Sequence, residues 1–113
     1  MLGLQRLPTP FPYYQAEDRG FGLVTIEPRL RFGIGLHHHD AQAGESADEG
    51  RTGLDHFALG VPTRAKLDAW VGWFDQVGVH HCGVTDMTEP MPYSVIVFRD
   101  PDHIQLELIH LPV

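Results

Sequence analysis

A chain of 113 residues, 42% hydrophobic and 20% charged, has room for one domain with a modest core and lacks the composition of a disordered segment. Fifteen acidic against eight basic residues give a net charge of −7, which excludes the basic footprint of a nucleic-acid binder. The single cysteine, Cys82, excludes an internal disulfide framework and a cysteine-built zinc site, and no apolar run approaches a membrane span, so a cytoplasmic protein is expected.

Residues 7 to 19 hold Pro8, Pro10 and Pro12. Proline cannot donate to a ladder, so this stretch reads as loop or edge strand. Phe21 to Glu27 reads as a strand that stops at Pro28. Arg31 to Leu36 is its hairpin partner, with Phe32, Ile34 and Leu36 alternating against Arg31, Gly33 and Gly35. The run His37-His38-His39 closes that second strand. Asp40 to Gly53, acidic and glycine-bearing, is a surface loop.

Leu54 to Val61 alternates again and stops at Pro62. Thr63 then N-caps a helix over Arg64 to Gln76, in which Leu67, Trp70, Val71 and Phe74 fall at i, i+3, i+4 and i+7. Gly78 suits its left-handed C-terminal cap. Three strands complete the chain, at His80 to Val84, Tyr93 to Phe98 and Ile104 to His110, with Arg99-Asp100-Pro101-Asp102 turning between the last two. The second half is therefore strand, helix, strand, strand, strand. The first half offers two or three strands and no helix.

Eight histidines are the chemical oddity of the sequence. On an alternating strand His37 and His39 share one face and His38 takes the other. His56 lies in the strand that opens the second half, and Glu107 in the last strand. Two imidazoles and a carboxylate with open positions would suit a divalent iron, manganese, zinc or nickel ion. By pattern alone, the histidine run reads first as a solvated strand end and Glu107 as a surface carboxylate. His80, His81 and Cys82 are adjacent, cannot all face one ion from a strand, and read as structural. Gly33-x-Gly35 lacks the third glycine and following helix of a dinucleotide fingerprint.

Gly53-Leu54-Asp55-His56-Phe57-Ala58-Leu59-Gly60-Val61 resembles the strand that opens the second βαβββ module of the vicinal oxygen chelate superfamily. That superfamily includes glyoxalase I, bleomycin-resistance proteins, fosfomycin-resistance enzymes and extradiol dioxygenases. Val97-Phe98-Arg99-Asp100-Pro101-Asp102-His103-Ile104-Gln105-Leu106-Glu107-Leu108 resembles its closing signature, F-x-D-P-D-G-x-x-x-E-L, with His103 in place of the glycine. The likeness covers 53 to 113 strongly and 20 to 39 more loosely.

It implies an α+β, glyoxalase-like fold of βαβββ modules, here βββ then βαβββ: a partial first module over 1–39, a loop over 40–53 and a complete second module over 54–113. By position it implies His56 and Glu107 as ligands of a divalent metal ion, with Glu107 also the catalytic candidate, and a lyase, isomerase or dioxygenase acting on a small oxygenated molecule. The first strand and helix of the usual plan, with their histidine ligand, have no counterpart, and Met1-Leu2-Gly3-Leu4 resembles the end of that helix and the start of the next strand. The glutamate of glyoxalase I would fall near Gly35, so a lactoylglutathione lyase is disfavoured and His37 or His39 is expected to stand in. The resemblance equally admits a metal-free, ligand-sequestering protein of the bleomycin-resistance kind, or an inactive remnant. A homodimer, with modules exchanged between chains, is the expected assembly, and neither nucleic acid nor membrane is an expected partner.

Overall fold

The computed structural model describes residues 3–12 and 20–112. Met1 and Leu2 of the expected helix end, residues 13–19 of the expected proline-rich loop, and Val113 lie outside the described residues. The chain divides into two units, Met1–Gly44 and Glu45–Val113.

The first unit is an antiparallel sheet built on β3 (Gly20–Glu27). Along one edge β3 pairs over its whole length with β4 (Phe32–His39). Its other edge receives two short strands, β1 (Gln5–Arg6) and β2 (Phe11–Pro12). The prolines explain their brevity, because each removes a ladder donor. β4 ends on the histidine run that closes the predicted strand, and the histidines sit inside the ladder, with His37 opposite Gly22 and His39 opposite Gly20.

The second unit is β5 (His56–Gly60), α1 (Arg64–Val77), β6 (His81–Met87), β7 (Tyr93–Arg99) and β8 (Gln105–His110). Its sheet has the order β5-β8-β7-β6, with β5 parallel to β8 and the other neighbours antiparallel. The helix starts as predicted: Thr63 is extended and its hydroxyl accepts from the Lys66 N–H, satisfying one of the donors that every helix N-terminus leaves over. It ends at Gly78, whose φ of 75° is the left-handed cap that glycine adopts without a Cβ penalty.

Leu67 and Phe74, one helical face, are fully buried against Ile96, Phe98 and Leu108 on β7 and β8. Trp70, Val71, Leu59, Val84 and Leu106 complete this core as partly buried neighbours. Arg64 fastens the first turn of α1 to the sheet, giving Nε and Nη2 to the two carboxylate oxygens of Asp86 at 2.7 and 3.1 Å and Nη1 to Asp68 at 2.8 Å. Ser94 donates to the same Asp86 oxygen. These bonds hold the polar end of β6 in the ladder, which is why that strand runs three residues past the predicted Val84.

The turn between β7 and β8 is organised by Asp100. Its carboxylate Oδ1 accepts from the Asp102 and Ile104 N–H groups at 2.9 and 2.8 Å, and Pro101 follows with its fixed φ. The turn closes on His103, which takes φ 65°, the left-handed region where the resembling signature has glycine. Because the Ile104 N–H is spent on Asp100, β8 begins at Gln105.

Candidate metal centre

Strand pairing decides what Glu107 can meet. In the parallel β5–β8 register His56 lies opposite Gln105 and Ala58 opposite Glu107, so all four residues share the sheet face away from α1. His56 Nε2 lies 3.8 Å from Glu107 Oε2. Two donors on one divalent ion, each at about 2.1 Å, lie roughly 3.4 Å apart in tetrahedral geometry. The pair is therefore close to the spacing that an ion would need.

The atoms facing away from the gap are already engaged. His56 Nδ1 and Asp55 Oδ1 are 2.6 Å apart. Gln105 Nε2 donates to Glu107 Oε1 at 3.3 Å. Arg99, opposite Gln105 on β7, gives Nη2 to the Gln105 side-chain Oε1 at 3.4 Å and Nη1 to the His103 backbone carbonyl at 2.7 Å. Glu49, from the segment that precedes β5, forms an ion pair with Arg99. Its own backbone N–H, then Arg99, hold the Glu49 carboxyl below the usual carboxylate range. A row of polar side chains thus crosses this face, from Asp55 through His56, Glu107, Gln105 and Arg99 to Glu49.

The His56 imidazole is held above its ordinary pKa, first by the hydrogen bond to Asp55 and then by the charge of Glu107, against a smaller opposing effect of burial. Its side chain is 43% exposed, whereas that of Glu107 is 17% exposed. The site is open to ligand on the histidine side.

Of the four residues that the sequence nominates, His56 and Glu107 are brought together. His37 and His39 lie on one face of β4 in the first unit, as alternation requires, with stacked rings whose centroids are 6.4 Å apart. Glycine makes room for them: a Cβ at Gly22 would lie 2.8 Å from the His37 ring. His38 is on the other face, against Phe21. Among the described residues no group of three or more His, Cys, Asp or Glu side chains is gathered as for a metal ion.

His81 is structural, as its neighbours in sequence predict: its ring packs on Phe74, Nε2 bonds Asp75 at 3.0 Å, and Nδ1 accepts from the Gly83 N–H at 2.9 Å. Asp55, Gln105, Arg99 and Glu49 were not singled out by sequence reasoning. The only signal for Gln105 was its place two residues before Glu107 on an alternating strand.

Solved structures share the fold. The chain superposes on a glyoxylase/bleomycin resistance protein/dioxygenase domain from Frankia sp. EAN1pec with a TM-score of 0.76 at 23% identity, over 95% of this chain and 77% of that one. The chain has the vicinal oxygen chelate fold. A glyoxalase family protein from Enterococcus faecalis superposes with a TM-score of 0.72 at 17% identity, over 96% of this chain and 79% of that one. A lactoylglutathione lyase from Agrobacterium tumefaciens does so at 0.58 and 17% identity, over 96% and 75%. No family model and no curated protein matches the sequence. At these identities the likeness fixes the vicinal oxygen chelate fold and leaves the chemistry to the residues of this chain. No helix among the described residues is long and apolar enough to cross a membrane.

Proposed function

We propose that this protein is a divalent-metal-dependent lyase, isomerase or dioxygenase-type enzyme acting on a small oxygenated substrate. The observation that carries the reading is the approach of His56 Nε2 and Glu107 Oε2 to 3.8 Å on one face of the sheet, from two strands distant in sequence. These two residues would hold the ion. A bound divalent ion supplies a Lewis acid for substrate oxygens. His56 presents Nε2 to the site while Asp55 retains Nδ1. Glu107 would present Oε2, the oxygen that Gln105 does not hold, to the ion. Arg99, with its charge balanced by Glu49, keeps the Gln105 amide in the orientation that donates to Glu107.

Metal content measured on purified wild type, His56→Ala, Glu107→Ala and the double variant tests the reading. Near-stoichiometric iron, manganese, zinc or nickel in wild type, lost in each variant, is the expected outcome. Equal, near-zero metal in all four rejects it.

A second reading, a metal-free protein that sequesters a small ligand, is supported by the count of two converging donors among the described residues. It predicts no thermal shift with any divalent ion. A homodimer belongs to both readings, and the exposed Phe21 and Leu36 of the first unit favour a partner surface there. A clean monomer in sedimentation at tens of micromolar rejects the dimer.

A further inference from the structure

We propose that Asp55 and Gln105 are positioning residues for the His56–Glu107 pair, each gripping the atom of one donor that faces away from the other donor. The inference rests on the metal-centre reading above and adds to it what aims the two donors.

A carboxylate can only accept, so the 2.6 Å contact between Asp55 Oδ1 and His56 Nδ1 places the single proton of a neutral imidazole on Nδ1. Nε2 is then left with its lone pair, directed to the side on which Glu107 lies 3.8 Å away. A neutral imidazole in water prefers the opposite tautomer, with the proton on Nε2, which could not ligate through that atom. Asp55 thus reverses an intrinsic preference, the role a carboxylate commonly plays behind a ligating histidine.

Gln105 acts on the other donor. Its Nε2 donates to Glu107 Oε1, which leaves Oε2 as the oxygen turned to His56. The amide cannot usefully flip: its oxygen would then face the Glu107 carboxylate, and its NH2 would face the Arg99 guanidinium that now donates to it. Arg99 is in turn fixed by Glu49 and by the His103 carbonyl. Asp55 and Glu49, the two ends of the row, belong to the same stretch of chain leading into β5.

The first test uses metal-free, 15N-labelled protein at alkaline pH, with the His56 ring nitrogens assigned by comparison with His56→Gln. Wild type is expected to show a pyrrole-type signal at Nδ1 and a pyridine-type signal at Nε2. Asp55→Ala should reverse the two, and Asp55→Asn, whose amide oxygen still accepts, should restore the wild-type pattern. The Asp55 side chain is 65% exposed, so helix content by circular dichroism should be unchanged in both variants. In the same protein the Gln105 side-chain amide signals should move on Glu107→Ala.

An Nε2-protonated wild-type ring, or a pattern unchanged in Asp55→Ala, overturns the role of Asp55. Unmoved Gln105 amide signals overturn that of Gln105. Cobalt(II) titration then reads the consequence: affinity about 10-fold or more weaker in Asp55→Ala and Gln105→Leu is expected, and wild-type affinity in either overturns that residue's role. Wild type that binds no cobalt rejects the metal-centre reading, while the metal-free spectra still decide whether the two residues hold the pair.

Discussion

Phe74 is the residue on which the second unit should depend most. It is fully buried, with its ring centroid 4.7 Å from that of Phe98, 5.6 Å from Trp70 and 5.8 Å from His81. Truncating a buried phenylalanine to alanine costs about 3–5 kcal/mol, transfer and cavity together. Here the value should fall in the upper half, since each aromatic contact adds about 0.5–1.5 kcal/mol beyond area. Total stabilities of small domains begin at about 5 kcal/mol, so Phe74→Ala should leave the unit barely folded. Phe74→Leu, which keeps most of the volume, should cost about 1–2 kcal/mol. Urea unfolding followed by tryptophan fluorescence is the assay, with Trp70 as a reporter inside the core. The midpoint should fall at unchanged m. Val77→Ala, on an exposed part of the same helix, should change stability by less than about 0.5 kcal/mol. A Phe74→Ala loss below about 1 kcal/mol at unchanged m would refute the assignment of this core.

At His103, whose φ is 65°, His103→Gly should be neutral or stabilise by up to about 1 kcal/mol, the steric relief being partly offset by the freedom glycine gains on unfolding. His103→Val should destabilise by about 1–2 kcal/mol, and equal melting temperatures for the two variants would count against a left-handed turn there. Arg64, then Ser94, hold the Asp86 carboxyl down to about 2. This depressed folded-state value means stability that is present above the unfolded value of about 3.9 and is lost as pH falls from there through about 2. Melting temperature against pH should therefore drop less steeply over that window in Asp86→Asn than in wild type, and parallel curves would refute the linkage. The raised pKa of His56 has the opposite sign: its contribution to metal-free stability is complete below about 6.5 and is lost as pH rises through the folded value. The same proton competes with a metal ion, so cobalt affinity should fall as pH is lowered, by up to about tenfold per unit. Affinity that does not vary with pH would separate His56 from binding.

The helix was legible to within one residue, ending at Val77 rather than Gln76, because its apolar period, its Thr63 cap and its Gly78 stop are all local signals. The strands of the second unit were legible in number and order, and their ends were not. β6 continues through Thr85, Asp86 and Met87 because Arg64 and Ser94 satisfy Asp86, a contact between elements that no window of sequence contains. β5 starts at His56 and leaves Leu54 exposed, against an alternation that would begin it two residues earlier. For the site, resemblance nominated His56 and Glu107, and their meeting follows from the parallel β5–β8 pairing. Periodicity gives the face of each strand but neither its neighbour nor its register. Asp55 and Gln105 escaped notice for the same reason, since their roles exist only once the two strands lie side by side.

The pairing of β5 with β8 has a consequence for how the protein matures. These are the first and last strands of the second unit, so their ladder closes the longest loop within it. Contacts of such sequence separation are slow to form, because their entropy must be lost before they repay it. The His56–Glu107 pair is therefore absent from the unfolded chain and from any intermediate in which β8 has not docked. An ion bound between them would engage the native state alone, adding about 2.7 kcal/mol of apparent stability at a concentration one hundred times its dissociation constant. A chain truncated before β8 would gain nothing from such an ion, whereas a completed one would gain that stability.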